Sequence, residues 1–397
     1  MITVHKKCII LVIIFLLQVP YLKSKTIIVD HRIPVIQTKH YHFIYRTTTK
    51  GHYLAFKTIQ YAVDQASKGD SIIIREGMYM EAIQINKNNL TLTNINNEKV
   101  IIDGNNPRLG PLIEIEAFGI VINGLSIMHS SGYGIYALNP KNIAITNTEV
   151  AYSNDGGIVF VDGSHVLVEN CKVHHNNYRG LDAGHEGVSL HNIQYFEVKN
   201  CEVFDNKEEG IDAKYGSAHG SIHHNHVYRN NGPNIYIDKA NHIEVHSNIV
   251  HDAILKAGIS LNIESAWHTG GLAWTLHDVS VYNNLVYNNS GGIGFWLEYG
   301  RGSEGKARWD SVAIVNNTLV NNSKPGVTRG GGIYVINGGP HNFGDDITIK
   351  NNIIWEKTND VSKCIWDYTG NIIEKFHISN NVFPENEPSD FYGEQAL

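Results

Sequence analysis

The densest group of acidic residues lies in the middle of the chain. Glu208, Glu209 and Asp212 surround one Gly-aliphatic pair, and Glu186 stands just before an earlier pair of the same kind. Carboxylates that are brought together repel one another unless a cation or a basic side chain lies between them. A set of oxygen ligands suits Ca²⁺. We therefore predict that these four residues bind Ca²⁺.

Two lysines beside this acidic group leave a second interpretation open. Lys207 and Lys214 flank it, so the carboxylates could instead form a solvated acidic edge paired with lysine. A lysine whose pKa is lowered by burial or by a nearby cation can also act as a base. We predict that Lys214, Tyr236 and Asp238 are catalytic, with Lys214 as the base and Tyr236 as the alternative base.

Polar and aromatic residues at equivalent places in neighbouring repeats complete the predicted site. The residues expected to bind substrate are His191, Asn262, Glu264, Trp296 and Glu298. A second chemistry is also open, because glycoside hydrolysis needs two carboxyl groups roughly 5 to 9.5 Å apart. Asp212 with Asp238, or Asp238 with Glu264, could supply such a pair.

An internal repeat must position these residues. From about residue 120 onward, a Gly followed by Ile or Val opens a short segment of alternating apolar and polar residues, and the tightest repeats are about two dozen residues apart. A period of this length with several short strands is typical of a solenoid. Leucine-rich repeats have a similar period, but the sequence lacks their leucine lattice. We predict strands from about Ile72 to about Val382.

The alternation within each strand predicts which side chains point inward. The inward column is expected to contain Ile135, Ile158, Val188, Ile211, Ile235, Ile259, Ile293 and Ile333. Residues one and three positions later face outward, and adjacent coils lie about 4.8 Å apart. The resulting solvent-facing patch is expected to contain Asp212, Lys214, Tyr236 and Asp238. His191 and Asn262 would lie at its edges.

Asn residues mark the bends between the predicted strands. Asn tolerates a left-handed backbone and can form hydrogen bonds with the next Asn along a stack. Cys171 and Cys201 occupy equivalent places in neighbouring repeats, so they could stack as thiols or form a disulfide.

The start of the repeat region resembles that of secreted proteins of the pectate-lyase-like superfamily. A short amphipathic segment at 56–63 precedes a strand and turn at 69–79, as in those proteins. The resemblance covers nearly the whole chain after residue 25. It implies an all-β fold, a right-handed parallel β-helix, with a short N-terminal capping helix.

The acidic phrases resemble those of family 9 pectate lyases. Those enzymes bind a catalytic Ca²⁺ with an Asp-Asp-Gly-aromatic-Asp phrase and with an Asp before Gly one coil earlier. Glu208, Glu209 and Asp212 match the first phrase, and Glu186 matches the second. The resemblance implies a lyase that cleaves a uronate-containing polysaccharide by Ca²⁺-assisted β-elimination. The sequence departs from that family in having Glu at three of the four places and Tyr236 where the family has its Lys base.

Alginate C5-epimerases share this fold and carry a Tyr-Gly-aromatic-Asp-Pro-His strand. Here Glu209 stands in place of the Tyr and Lys214 in place of the His, so this match is poorer.

Composition and the N-terminus limit the possible partners and location. The formal net charge is −7, whereas a surface that binds nucleic acid needs clustered Lys and Arg. Residues 1–25 have the basic start and short apolar run of a signal peptide. We expect a secreted or periplasmic monomer that is not attached to a membrane after signal cleavage. Residues 51–397 would form the β-helix domain, and residues 26–50 a lead-in of unclear structure.

Three functions are open on this evidence. The first is a polysaccharide lyase that acts on an acidic polysaccharide or oligosaccharide. The second is a glycoside hydrolase, and the third is a non-catalytic protein that binds carbohydrate. The concentration of Lys, Asp, Glu and Tyr on a few central coils favours an enzyme over a binding protein.

Overall fold

The structure is a computed structural model. It describes residues 24–32, 44–48, 51–105, 110–179, 185–264, 275–298, 307–323, 330–336, 340–344, 346–356, 362–368 and 375–384. Almost all of the predicted signal peptide, residues 1–25, lies outside the described residues. No helix in the described part of the chain is long and apolar enough to cross a membrane.

Short parallel strands form the first face of a solenoid. The strands of this face are β6 (Ile83–Ile85), β9 (Ile113–Ile115), β12 (Ile135–Leu138), β15 (Ile158–Glu169), β17 (Val188–Lys199), β19 (Ile211–Lys214), β22 (Ile235–Asp238), β25 (Ala257–Ile263), β28 (Gly291–Leu297), β31 (Gly330–Ile336) and β34 (Ser362–Asp367). Each strand pairs in parallel with the equivalent strand of the next coil, so each turn of the solenoid adds one strand to this face.

The second face continues from the first, because β15 and β17 are long enough to take part in both. Its other strands are β1 (Thr26–Val29), β4 (Ser71–Ile74), β7 (Thr91–Asn94), β10 (Val121–Asn123), β13 (Lys141–Thr146), β20 (Ala218–His223), β23 (Asn241–His246), β26 (Thr275–Tyr282), β29 (Arg308–Val315), β32 (Ile347–Lys350) and β35 (Phe376–Ser379). A short 3₁₀ turn spans Pro340–Asn342.

The third face is a separate sheet, with eleven strands among the described residues. They are β5 (Gly77–Tyr79), β8 (Val100–Asp103), β11 (Ser126–Met128), β14 (Glu149–Ala151), β16 (Lys172–His174), β18 (Glu202–Phe204), β21 (His226–Tyr228), β24 (Ile249–His251), β27 (Leu285–Tyr287), β30 (Thr318–Val320) and β33 (Ile353–Trp355). Three parallel faces around one apolar core make the fold a parallel β-helix, as predicted.

The predicted inward column is confirmed. Ile211 pairs with Ile235, and Ile235 pairs with Ile259, with all three fully buried. The same column continues in register from Ile135 to Ile333. Burial of one aliphatic side chain per coil supplies apolar contacts along the whole stack and fixes which residues must face outward.

The N-terminal end of the stack is closed by a helix, as predicted. Helix α1 (Ile59–Gln65) begins after Thr58, whose hydroxyl accepts a hydrogen bond from the Tyr61 N–H, and it buries an apolar side against the first coil. The strands begin earlier than the predicted start at Ile72, because β1 pairs in parallel with β4. The segment between them includes an antiparallel hairpin of β2 (Ile44–Thr48) and β3 (Gly51–Phe56).

Neighbouring coils are also linked by a ladder of buried Asn side chains. The Asn248 side-chain oxygen accepts hydrogen bonds from the backbone N–H (2.9 Å) and the side-chain amide (3.1 Å) of Asn225. Its own amide donates to the Ile222 carbonyl (2.9 Å) and to Asn284 (3.0 Å). The same pattern is repeated at each further coil, at Asn284, Asn317 and Asn352.

In the Asn-Asn pairs at these bends, the two residues have different structural roles. In Asn283-Asn284 the first residue adopts a left-handed backbone (φ 57°), and the second belongs to the ladder. Cys171 and Cys201 hold the corresponding ladder places in earlier coils, where the Cys201 sulfur accepts a hydrogen bond from the Cys171 N–H (3.4 Å). Both are free thiols, which settles the alternative between stacked thiols and a disulfide.

We predict that Asn248→Ala destabilises the protein strongly. The substitution leaves buried donors and acceptors of the neighbouring coils without partners, and each such group costs about 1–3 kcal/mol. Thermal and urea unfolding would measure the loss. Asn154→Ala is the matched control, since Asn154 is exposed and its amide makes one long hydrogen bond of 3.4 Å. Equal stability of the two variants would contradict this role for the ladder.

Candidate functional site

Four adjacent strands of the first face, β17, β19, β22 and β25, carry the predicted site. Their register places Lys214 beside His191 on one side and beside Asp238 on the other. In the same way, Asp212 lies beside Tyr236, and Asp238 lies beside Asn262. The structure therefore brings together the residues that the repeat assigned to neighbouring coils.

The prediction that Asp212, Lys214, Tyr236 and Asp238 face solvent is wrong. Their exposed fractions are 1%, 8%, 5% and 0%. One reason is that the Glu264 N–H, just after the end of β25, donates to the Asp238 carboxylate (2.9 Å). Asn262, expected at the edge of the patch, is also buried, whereas His191 is half-buried. The polar patch is therefore covered from solvent.

Lys214 lies between two carboxylates in this covered patch. Its ammonium donates to Glu186 in a close contact and lies 3.0 Å from Asp212 Oδ2. Burial alone would lower the pKa of Lys214, but the carboxylates of Asp212 and Glu186 outweigh burial and hold that pKa well above its usual value. The expected lowering of the Lys214 pKa is therefore wrong. A lysine that stays protonated is poorly suited to act as a base.

This arrangement also bears on the predicted calcium ligands. One buried oxygen of each of Glu186, Glu208 and Asp212 has no hydrogen-bond partner within the described part of the chain. The groups of three or more His, Cys, Asp or Glu whose ligand atoms approach within 4.8 Å of one another lie elsewhere among the described residues. The Lys214 ammonium already neutralises Glu186 and Asp212, so these two carboxylates need no cation in order to lie together. Calcium binding stays a prediction.

A cleft of about 530 Å³ lies above this covered patch. Trp296 and Tyr334 supply aromatic walls, and Lys207 and Lys256 also line the cleft. Gly294 is required here, because a Cβ at that position would lie 2.5 Å from the Tyr334 ring. Aromatic walls with a few polar groups are typical of a small-molecule or sugar site.

Three carboxyl groups, those of Glu208, Glu209 and Glu264, line the same cleft. Burial, with the charge of nearby Glu186, raises the pKa of Glu209 to about 8. Burial also raises the pKa of Glu264, but the Tyr236 hydroxyl donates a close hydrogen bond to its carboxylate and limits the rise. Glu209 is therefore protonated at neutral pH, whereas the Tyr236 hydroxyl favours the ionised form of Glu264. Carboxyl groups whose pKa values are pushed apart are typical of an acid and a base in catalysis.

Other predicted site residues take supporting positions. Asp238 is fully buried beneath Glu264, and burial raises its pKa well above the usual value. The charge of Glu298 raises the pKa of Glu264, so Glu298 lies near the cleft. The Lys256 ammonium lies 5.7 Å from the centre of the Trp296 ring.

Sequence reasoning missed Lys239 and Tyr215. The Lys239 ammonium donates to the Glu264 carbonyl (2.7 Å) and lies 4.4 Å from the centre of the Tyr215 ring. Strand alternation predicts that the side chain after Asp238 points inward, but Lys239 has a left-handed backbone (φ 46°). The alternation therefore ends at Asp238, and no feature of the sequence marks this end.

Comparison with known proteins identifies the fold. The family model described as a right handed beta helix region matches residues 111–262. The chain is a right-handed parallel β-helix. Its strands agree with this description over the matched residues and continue on both sides of them. No curated protein matches the sequence.

Several solved β-helix structures resemble this one. A surface adhesin of Streptococcus pneumoniae has a TM-score of 0.56 at 14% identity, covering 82% of this chain and 86% of its own. An exopolygalacturonase from Thermotoga maritima has a TM-score of 0.57 at 11% identity, covering 80% and 85%. The pectate lyase Pel9A has a TM-score of 0.50 at 12% identity, covering 83% and 80%. Proteins with different activities thus share the fold, and the closer resemblance to family 9 lyases stays a prediction.

We predict that Lys214→Met destabilises the β-helix by about 3–5 kcal/mol near neutral pH, because it leaves buried carboxylates without their counter-ion. Urea unfolding would measure the loss, with Lys207→Met at an exposed lysine as control. The double variant Glu186→Gln with Lys214→Met should recover part of the stability. A fully stable Lys214→Met variant would show that the ion pair does not form.

Proposed function

We propose that the protein is an enzyme that cleaves an acidic polysaccharide in the cleft between Glu209 and Glu264. The observation that carries this proposal is that two carboxyl groups lining one cleft have opposite surroundings. Burial among like charges keeps the proton on Glu209, and the Tyr236 hydroxyl stabilises the Glu264 carboxylate. An acid and a base on one bound sugar chain are what cleavage of a glycosidic linkage requires.

The lining of the cleft supports an anionic sugar as substrate. Lys207 and Lys256 provide positive charge, and Trp296 provides an apolar surface on which a sugar ring can lie. The pectate lyase and the exopolygalacturonase that share the fold are named for acting on uronate polymers. The positive charge is local, since the chain as a whole carries −7.

Hydrolysis is the reaction that this pair supports best. Glu209 donates its proton to the glycosidic oxygen as the bond from that oxygen to the anomeric carbon breaks. Glu264 removes a proton from a water molecule, whose oxygen forms the new bond to the same carbon. Tyr236 positions Glu264 and does not itself exchange a proton in this scheme.

β-Elimination is a second candidate, favoured by the two lysines of the cleft. In this reaction Glu264 removes the C5 proton of a uronate whose carboxylate is neutralised by Lys207 or Lys256. The C4–oxygen bond then breaks, a C4–C5 double bond forms, and Glu209 protonates the leaving oxygen. The predicted base Lys214 has no part in this scheme, because it stays protonated beneath the cleft.

The products distinguish the two reactions. Pectate, alginate and glycosaminoglycans would be incubated with the protein, in calcium and in chelator. Hydrolysis yields reducing ends without near-ultraviolet absorbance, whereas elimination yields an unsaturated uronate that absorbs there. We expect reducing ends alone and activity in chelator. Activity that requires Ca²⁺ would show that a cation takes part in the reaction. No activity on any polymer would favour a carbohydrate-binding protein.

We predict that Glu209→Gln lowers kcat/KM by about 10²–10⁴-fold, because general acid catalysis contributes that much. Glu208→Gln is the matched control, since Glu208 lines the same cleft and its pKa is raised less. We expect the control to retain activity within a few fold. Equal losses in the two variants would contradict the assignment of Glu209 as the acid.

The pH dependence follows from the same residue. Because Glu209 must hold its proton, the wild-type rate should fall as pH rises through about 8. Stability should change in the same direction. The folded protein retains this proton above the pH at which an unfolded Glu loses it, so stability decreases between the ordinary Glu pKa and about 8. Melting of Glu209→Gln should lack that part of the pH dependence, and an unchanged dependence would contradict the raised pKa.

A further inference from the structure

We propose that two sets of side chains on the second face of the β-helix bind divalent transition-metal ions. The first set is His223, His224 and His246, and the second is His242, His277 and Asp278. In each set the ligand atoms of the three residues all lie within 4.8 Å of one another. Both sets lie on strands β20, β23 and β26 or at their ends, on a different face from the cleft. The proposal is therefore independent of the proposed enzymatic activity.

The fold itself brings the first set together. His223 and His246 pair in register on adjacent coils, and their rings are stacked with centroids 4.7 Å apart. His224 has a left-handed backbone (φ 55°) just after the end of β20. This conformation allows the His224 side chain to lie on the same side of the sheet as the His223 side chain. His224 Nδ1 therefore lies 2.7 Å from His223 Nδ1.

The hydrogen bonds around His223 prepare it as a ligand. Its Nε2 lies 2.9 Å from Glu197 Oε1, and Glu197 is held from its other oxygen by the Lys199 ammonium (2.9 Å). A carboxylate at Nε2 favours the tautomer with its hydrogen there, which leaves a lone pair on Nδ1. Metal-binding histidines commonly carry such a carboxylate behind the ring.

The remaining ligands of the first set lie within reach of the same point. His246 lies beside His223 in the parallel register, at the end of β23. His224 is exposed, and its ring can turn toward an incoming ion. In the metal-free protein, one hydrogen is shared between the two Nδ1 atoms of His223 and His224. Metal binding displaces this hydrogen, either to His224 Nε2 or to solvent.

The second set rests on a different observation, which is convergence on one carboxylate oxygen. Asp278 Oδ2 accepts a hydrogen bond from His277 Nδ1 (2.7 Å) and lies 3.5 Å from His242 Nε2. The two imidazole planes are 78° apart, so their nitrogens approach the oxygen from different directions. Two imidazoles and a carboxylate leave a further position for water, a ligand set typical of zinc.

The ligand types decide which ions the two sets would take. Imidazole nitrogen suits Zn²⁺, Ni²⁺ and Cu²⁺, whereas Ca²⁺ and Mg²⁺ prefer oxygen. The first set contains nitrogen ligands only, and the second contains two nitrogens and one oxygen. We therefore expect zinc or nickel binding in the presence of excess calcium and magnesium.

Isothermal titration of the full chain with ZnCl₂ and with NiCl₂ near neutral pH tests the proposal. We expect two ions per wild-type chain. His224→Ala with His246→Ala should remove one ion, and His242→Ala with His277→Ala should remove the other. His165→Ala is the matched control, because His165 is an exposed histidine stacked on Tyr195 outside both sets. It should bind both ions.

Each set can be overturned separately. A set whose double variant binds as many ions as the wild type, with equal affinity, is not a site, and a wild type that binds neither metal refutes both sets. Circular dichroism would check that each variant is folded. Glu197→Gln provides a finer test, since loss of the carboxylate behind His223 should weaken one site by about 10- to 100-fold. Unchanged affinity would show that Glu197 does not position His223.

Discussion

The fixed parallel register of the coils is the constraint on which the rest of this structure depends. Each central coil places one aliphatic residue in the Ile211–Ile235–Ile259 column and one amide in the Asn225–Asn248–Asn284 ladder. A slip of one residue would turn every outward side chain into the core. The register therefore decides which polar side chains become neighbours, about 4.8 Å apart on adjacent strands.

Stacking polar side chains at this spacing has an electrostatic consequence. Charged groups that lie on adjacent coils are too close to ionise independently, and their neighbours remove much of their contact with water. On the first face, two features reduce the repulsion between these charges. Lys214 forms an ion pair with Glu186, and Glu209 retains a proton. The same geometry on the second face stacks imidazole rings, which approach one another closely. Two chemically distinct surfaces thus arise from one repeat.

Much of the fold could be predicted from the sequence, because the residue spacing of the repeat determines the register of the coils. The inward column, the capping helix and the Asn stack follow from period and residue type alone. The pairing of Lys214 with Asp238 on adjacent strands follows in the same way. Such predictions need only the direction in which a side chain leaves its strand.

Burial and charge in the site could not be predicted in this way. Whether Lys214 is a base depends on the position of its ammonium, which lies 3.0 Å from Asp212. Whether Asp238 is open to solvent depends on Glu264, which lies beyond the end of β25 and donates its N–H to the Asp238 carboxylate. Lys239 belongs to the site because its left-handed backbone breaks the alternation of the strand. These features are set by side-chain conformations and turns that a repeat pattern does not specify.

The central claim is that Glu209 keeps its proton while Glu264 is ionised in the same cleft. Carbon-13 NMR of protein labelled at the Glu side-chain carboxyl carbon, titrated with pH, measures both groups directly. Glu209→Gln and Glu264→Gln spectra would assign the two signals. We expect the Glu209 signal to titrate near pH 8 and the Glu264 signal to titrate at lower pH. A Glu209 signal that titrates at the ordinary Glu pKa, or below that of Glu264, would contradict it.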